Sequence, residues 1–132
     1  LDPELLTGLM GCHVGFPRID SVPASLSKQL LTGELRKRIG FKGPLFSDDL
    51  MMGALRTFGD ASTLARMAID AGTDMVLLCN DDTATDGVLY GNSLPPQSEA
   101  SRERLEKMRP TSVDLLDAEA LEQARKLVRK YA

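Results

Sequence analysis

Three short apolar runs, each followed at once by polar residues, constrain this chain more than any other feature of its sequence. They lie at residues 9–14, 43–47 and 74–79, and none alternates between apolar and polar residues as a half-exposed antiparallel strand does. Continuous apolar runs of this length are typical of parallel strands that are buried on both faces. The runs therefore predict an α/β fold built on a parallel sheet.

Helical patterns fill the gaps between the runs. Residues 25–39 carry one apolar stripe at helical spacing, and a second helix is predicted to begin at Asp60 as its N-cap and to end at Gly72. Residues 98–108 and 114–131 predict two further helices after the third run. Strands that alternate with helices in this order favour right-handed βαβ units.

The spacing of the strands narrows the choice among α/β folds. The central residues Cys12, Phe46 and Leu77 are separated by 34 and 31 positions. A (β/α)8 barrel of ~250 residues uses roughly 31 residues per βα unit, although flavodoxin-like sheets come close to that value. Three strands are less than half of such a barrel, and the chain opens on Leu1 without an initiator Met. We therefore expect residues 1–132 to be the C-terminal portion of a single, longer barrel domain.

Charge and hydropathy exclude several classes of partner. The chain has 16 Lys and Arg against 19 Asp and Glu, which gives a formal net charge of −3. Sequence-independent electrostatic binding to nucleic acid or to an anionic membrane requires a basic face, so we expect neither partner. The longest strongly apolar run, at residues 75–79, is far shorter than the ~20 residues that span a bilayer.

The two cysteines indicate a compartment rather than a site. Cys12 and Cys79 lie 67 positions apart, each within an apolar run, whereas a disulfide framework uses more cysteines spaced across loops. We expect two buried thiols in a reducing cytoplasm. The single histidine and two distant cysteines do not have the spacing of a zinc site, so no structural metal is expected.

The polar residues after each run are the candidates for chemistry, because the carboxyl ends of parallel strands form the active face of such folds. Asp48 and Asp49 follow the second run. Neighbours on an extended segment point to opposite faces, so one carboxylate can enter the barrel mouth while the other caps a short helix over residues 50–55. The residues alone leave open which of the two takes each role.

The ends of the first and third runs are less specific. His13 is either a satisfied, half-buried side chain or a polar contact to substrate or general base. Asp81 and Asp82 either cap the turn that follows them or hold Mg²⁺ together with Asp48, for phosphoryl or enolate chemistry.

Ordered sequence blocks resemble family 3 of the glycoside hydrolases. The blocks are HVGFPRID at 13–20, PAS at 23–25, GELR at 33–36, FKGPLFSDDLMM at 41–52 and AGTDMVLLCN at 71–80. Within that family the likeness is strongest to the bacterial cytoplasmic β-N-acetylglucosaminidases of peptidoglycan recycling. It runs in order from about residue 8 to residue 80, and a looser helical match follows.

The resemblance implies a fold and a reaction. The fold would be a (β/α)8 barrel whose sixth, seventh and eighth strands are the three runs seen here. The reaction would be hydrolysis, with retention, of β-linked N-acetylglucosamine from muropeptides such as those ending in anhydro-N-acetylmuramic acid. Asp48 matches the nucleophile of the family, Asp49 takes the capping role, and His13 is a candidate substrate contact. Neither a metal nor an organic cofactor is implied.

The resemblance also implies what must lie elsewhere. The general acid/base of this branch resembles a His–Asp dyad on a loop between earlier strands of the barrel, and His13 does not correspond to it. Activity would therefore require an N-terminal portion of the same barrel, and the 132 residues alone would be inactive. The alternative is a half-barrel without catalysis that binds sugar or serves assembly.

Overall fold

A computed structural model describes residues 6–91, 94–109 and 117–131 of the chain. Three strands form one sheet in the order β1–β2–β3, and both neighbouring pairs are parallel. The predicted α/β class with a parallel sheet is therefore confirmed. In chain order the elements are β1 (Leu9–Gly11), a 3-10 turn (Ala24–Leu26), a π-helix (Gln29–Arg38), β2 (Leu45–Asp49), a second 3-10 turn (Gly53–Leu55), α1 (Ala61–Ala71), β3 (Met75–Leu77), α2 (Asp82–Tyr90), α3 (Glu99–Glu106) and α4 (Ala118–Tyr131).

Helices with strong local signals begin and end where the sequence predicts. Asp60 is the N-cap of α1, and its carboxylate accepts a hydrogen bond from the backbone N–H of Thr63 at 2.8 Å. Gly72 closes the same helix in the left-handed region, at φ 117°. Ser98 caps α3 in the same way as Asp60 caps α1. The prediction of a helix over 114–131 is confirmed from residue 118, and residues 114–116 lie outside the described residues.

The predicted helix over 25–39 is wound differently. It opens as a 3-10 turn and continues as a π-helix, in which the N–H of Ile39 donates to the carbonyl of Glu34. Hydrogen bonds from residue i to i+5 turn the chain by less per residue than an α-helix does, so an α-helical stripe drifts around the surface. Leu31 is consequently buried, whereas Ile39 at the end of the expected stripe is 46% exposed.

The core lies between the sheet and the helices on one of its faces. Leu45 of β2 packs there with Leu31 and Ala71, and a larger cluster of buried side chains continues along α1 and α2. The members of the larger cluster are Leu26, Leu50, Leu55, Leu64, Ala65, Ala68 and Val88. This packing fixes the carboxyl end of β2, because Leu50 is one of its most buried members.

The other face of the sheet differs from the expectation that the strands are buried on both sides. Met10, Phe46 and Met75 form one row across the three strands, as the register pairs Met10 with Phe46 and Phe46 with Met75. Met10 is 57% exposed and Met75 is 43% exposed. The buried clusters of the core do not include this row, which we call the open face. Among the described residues, no helix is both long and apolar enough to cross a membrane.

A buried charge cluster ties the amino end of the sheet to two helices. The side chain of Asp74 is 1% exposed and accepts hydrogen bonds from Arg36 at 2.7 Å and from Arg104 at 2.6 Å. The same carboxylate accepts the backbone N–H of Leu45 at 2.9 Å. Burial lowers the pKa of the Arg36 guanidinium below its ordinary value, and the charge of Asp74 opposes that shift. The cluster joins the start of β2 to the π-helix and to α3.

Candidate active site

A bulge at the carboxyl end of β2 shapes the candidate site. Phe46 pairs with Met75 and Asp49 pairs with Leu77, so β2 has one residue more than β3 between these two pairs. The hydroxyl of Ser47, which is fully buried, accepts the backbone N–H of Leu77 at 2.9 Å. A bulge of this kind re-aims the side chains that follow it and is common beside active sites.

Asp48 lies within this bulge at the end of the central strand. Leu45 and Ser47 are buried, whereas Phe46 and Asp48, which alternate with them in sequence, are half-buried. One carboxylate oxygen, Oδ1, accepts the backbone N–H of Asp49 at 2.8 Å. That contact orients the carboxylate through one of its two oxygens.

Asp49 has the opposite environment. Its Oδ1 accepts two backbone N–H groups, from Met51 at 3.0 Å and from Cys79 at 3.0 Å. The first bond closes a tight turn, so the helix expected over 50–55 is reduced to the 3-10 turn that begins at Gly53. The second bond joins the end of β2 to the end of β3. The two adjacent carboxylates therefore differ in what they contact, although the bulge interrupts the regular alternation of the strand.

His13 bridges the ends of β1 and β2 with both of its ring nitrogens. Nε2 lies 2.8 Å from the backbone carbonyl oxygen of Asp49, and Nδ1 lies 2.7 Å from Oγ of Ser25. A carbonyl oxygen only accepts, so the neutral ring carries its proton on Nε2 and Nδ1 accepts the Ser25 hydroxyl. A contact from either nitrogen to a substrate would require one of these bonds to break.

The acidic residues after β3 contact the backbone of α2. The carboxylate of Asp81 is the N-cap of α2 and accepts the N–H of Ala84 at 2.9 Å. Asn80, immediately before it, adopts a left-handed conformation at φ 60°, which is uncommon outside glycine. Within residues 6–91, 94–109 and 117–131, no three His, Cys, Asp or Glu side chains come together as a metal site.

A cavity of about 410 Å³ opens beside these strand ends. Its wall includes Asp49, Arg56, Cys79 and Asn80, but not Asp48. The prediction of buried thiols is wrong, since both Cys12 and Cys79 are exposed free cysteines. The reason is that the two residues lie at the ends of edge strands, beyond the part of each run that packs against helices.

Two residues of the site carry no recognisable signal by themselves in the sequence. Ser25 orients the ring of His13, and Ser47 satisfies the N–H that the bulge leaves unpaired. Both are small polar residues whose side chains are fully buried. Only their place inside the PAS and FSDD blocks could have drawn attention to them.

Comparison with known proteins gives one consistent result. Residues 5–107 match the family described as glycosyl hydrolase family 3 N terminal domain. A protein named beta-hexosaminidase from Nitrosomonas eutropha is 45% identical over 84 residues, which are 64% of this chain and 24% of that protein. Another with the same name, from Aromatoleum aromaticum, is 44% identical over 105 residues, covering 79% of this chain and 29% of the relative. The chain thus spans about a quarter of the length of these curated relatives.

Solved structures agree with the sequence relatives. The structure of NagZ from Neisseria gonorrhoeae in complex with N-trifluoroacetyl-D-glucosamine superposes with a TM-score of 0.72 and 33% identity, over 93% of this chain and 34% of that one. The β-N-acetylglucosaminidase from Thermotoga maritima gives a TM-score of 0.65 with 28% identity, over 79% of this chain and 25% of that one. The resemblance carried by the five sequence blocks is confirmed, and the chain belongs to glycosyl hydrolase family 3.

Proposed function

We propose that the chain supplies the nucleophile of a retaining exo-β-N-acetylglucosaminidase. The observation that carries this proposal is the placement of Asp48. Its carboxylate lies at the end of the central strand, is half-buried, and is oriented by the backbone N–H of Asp49. The adjacent Asp49 is occupied by two backbone N–H groups, so Asp48 is the member of the pair that is available to a substrate.

The reaction proceeds in two steps. The carboxylate oxygen of Asp48 that is not bonded to Asp49 attacks the anomeric carbon and forms a glycosyl ester, while the glycosidic C–O bond breaks and its oxygen takes a proton from a general acid. Water, deprotonated by the same group, then attacks the anomeric carbon and releases Asp48. Two inversions leave the sugar with its original β configuration.

The general acid lies outside this chain in the proposal. His13 has both ring nitrogens engaged, and Asp49 and Asp81 hold backbone N–H groups. We propose that an N-terminal portion of the same polypeptide supplies the acid, covers the open face and closes the sheet into a (β/α)8 barrel, of which this chain is the C-terminal portion. The apolar row of Met10, Phe46 and Met75, in which both methionines are exposed, supports such a covering.

The substrate proposal is a muropeptide with terminal β-linked N-acetylglucosamine, including those with anhydro-N-acetylmuramic acid. The names of the relatives and the N-trifluoroacetyl-D-glucosamine in the complex of the Neisseria gonorrhoeae protein support the N-acetylglucosamine part of this proposal, and the muropeptide part follows from the resemblance to enzymes of peptidoglycan recycling. We further propose that the protein acts in the bacterial cytoplasm. Exposed free thiols at Cys12 and Cys79 suit a reducing compartment.

The test uses a completed enzyme, which is this chain joined to the N-terminal portion of the Nitrosomonas eutropha relative. It is incubated with a slow fluorosugar analogue of N-acetylglucosamine, and peptide mass spectrometry identifies the labelled residue. We expect one label, on Asp48. A label on another residue would contradict the nucleophile assignment.

A pair of matched variants separates loss of the nucleophile from loss of a negative charge. Asp48→Asn removes the attacking oxygen and should lower kcat by about 10⁴-fold or more. Asp49→Asn removes the neighbouring charge but keeps an oxygen that accepts the N–H groups of Met51 and Cys79, so kcat should fall far less than in Asp48→Asn. In Asp48→Ala, added azide should restore turnover and give the α-glycosyl azide, because the small anion attacks from the vacated side.

The same experiment decides between catalysis and a half-barrel that only binds sugar. Sugar binding without label or turnover, in a completed enzyme that folds, would favour the binding function. Turnover that survives EDTA would count against the use of Asp48 and Asp81 as Mg²⁺ ligands. We expect the 132-residue chain alone to bind weakly and to release no product.

A further inference from the structure

We propose that His13 is a positioning residue that holds the nucleophile through the backbone of Asp49. This inference rests on the proposed function, since it assumes that Asp48 attacks the sugar. It assigns His13 a role other than contact with substrate. The inference is carried by three contacts that link the end of β1 to the carboxylate of Asp48.

The first step concerns where the backbone ladder ends. β1 and β2 pair from Leu9 with Leu45 to Gly11 with Ser47, and the pairing stops one residue before Asp48. On the other side, the ladder between β2 and β3 is interrupted by the bulge over the same residues. The nucleophile therefore lies where regular strand pairing holds the chain least.

The second step is the bond that takes over from the ladder. Nε2 of His13 donates to the carbonyl of Asp49 at 2.8 Å, across 36 positions of sequence. On the β3 side, the carboxylate of Asp49 accepts the N–H of Cys79, and Leu50 N–H donates to the carbonyl of Leu77 at 2.9 Å. The residue after the nucleophile is thus fixed to both neighbouring strands, and His13 supplies the link on the β1 side.

The third step connects this link to the reacting group. The N–H of Asp49 donates to Oδ1 of Asp48, and only the Cα of Asp49 separates that N–H from the carbonyl held by His13. The two groups flank the φ and ψ bonds of Asp49. Because His13 holds the carbonyl and Leu77 holds the next N–H, that of Leu50, the N–H of Asp49 has less freedom to turn. That N–H determines which oxygen of Asp48 is free to attack.

Ser25 fixes the orientation of the His13 ring. Its side chain is fully buried on the 3-10 turn Ala24–Leu26, and its hydroxyl lies 2.7 Å from Nδ1 of His13. The backbone N–H of Ser25 in turn donates to the carbonyl of Cys12 at 3.0 Å. The turn and the end of β1 therefore hold the imidazole ring from two sides, which leaves Nε2 aimed at Asp49.

Two substitutions divide the functions of the ring. The amide nitrogen of glutamine reaches about as far as Nε2, so His13→Gln keeps a donor for the carbonyl of Asp49 and loses the bond to Ser25. The shorter asparagine amide reaches about as far as Nδ1, so His13→Asn keeps a polar group beside the Ser25 hydroxyl and loses the hydrogen bond to the carbonyl of Asp49. Thr32→Val is the control, since it removes a hydrogen bond of 2.7 Å, from the Thr32 hydroxyl to Ala71, away from the nucleophile.

The measurement is the labelling of the completed enzyme by the fluorosugar, which separates the rate constant for ester formation on Asp48 from the dissociation constant of the analogue. A nucleophile displaced by about 1 Å costs about 100-fold in rate. We expect His13→Asn to lower the labelling rate constant by about that factor while the dissociation constant changes less than about twofold. His13→Gln should recover most of the rate, and Thr32→Val should label at the parent rate after correction for the folded fraction.

The outcomes separate the two proposals. If His13→Asn labels at the parent rate, or if both His13 variants weaken binding of the analogue without slowing labelling, the positioning role is wrong while the nucleophile assignment stands. If Thr32→Val slows labelling as much as His13→Asn does, general destabilisation explains the effect and the positioning role is again wrong. If the parent enzyme acquires no label on Asp48, the proposed function fails and this inference fails with it.

Discussion

Replacing Asp74 by asparagine tests the buried charge cluster at the amino end of the sheet. Asparagine has nearly the same shape and keeps an oxygen that can accept the N–H of Leu45. It removes the negative charge from between Arg36 and Arg104, whose side chains are only 14% and 22% exposed. The substitution therefore isolates the charge from the packing.

The magnitude follows from burial. Removing one partner of a buried ion pair costs about 3 to 5 kcal/mol, because the remaining charge is left without compensation. Here both arginines retain some access to water, which favours the lower end of that range. We expect Asp74→Asn to lower the free energy of unfolding of the completed enzyme by about 3 kcal/mol.

The assay is urea unfolding followed by far-ultraviolet circular dichroism, with the midpoint expected to fall and the slope to stay constant. Glu34→Gln is the control, since Glu34 pairs with Arg38 on the surface and should contribute less than about 0.5 kcal/mol. Adding Arg104→Met should lower the free energy of unfolding less in the Asp74→Asn variant than in the parent protein. Equal losses for Asp74→Asn and Glu34→Gln would show that the buried charge of Asp74 contributes no more to stability than a surface pair does.

Three further substitutions test other parts of the fold. Gly72→Ala should lower the free energy of unfolding by about 1 to 3 kcal/mol in the same assay, because φ is 117° and a Cβ would lie 2.7 Å from Oγ1 of Thr32. Ser47→Ala should lower it by about 1 to 3 kcal/mol and increase hydrogen exchange at Leu77, whose N–H loses its acceptor. The hydrogen bonds from the first turn of α1 lower the pKa of Asp60, so the stabilisation that the Asp60 carboxylate provides is present above the unfolded pKa and is lost as the pH falls through the folded pKa. Asp60→Asn should therefore weaken the dependence of the free energy of unfolding on acid pH. An unchanged dependence would contradict the assignment.

Local signals explain what the sequence could predict. A capping residue, an apolar stripe and a terminal glycine all lie within one helix, so Asp60 and Gly72 mark the ends of α1 without knowledge of the rest of the chain. The alternation of neighbours on a strand likewise anticipates that Asp48 and Asp49 have different surroundings. These inferences require only residues that are close in sequence.

Contacts between distant residues explain what the sequence could not predict. The bond from His13 to Asp49 spans 36 positions and ends on a backbone carbonyl, which has no side-chain signature. The bulge depends on how β2 and β3 align, and the π-helix depends on packing that selects i to i+5 bonding over i to i+4. The exposure of Cys12 and Cys79 follows from how short the paired strands are. Each of these is a property of the assembled sheet.

The bond between Ser47 and Leu77 also sets an order of events during synthesis. The two residues are 30 positions apart, so at about 5 to 20 residues per second the ribosome makes the second about 2 to 6 seconds after the first. During that interval β2 has no partner on its β3 side, and the acceptor oxygens of Ser47 and Asp49 lack their donors, the N–H groups of Leu77 and Cys79. The segment around Asp48 therefore reaches its final geometry only after β3 has emerged, and a translational pause after β2 would prolong an aggregation-prone intermediate with an unpaired strand edge.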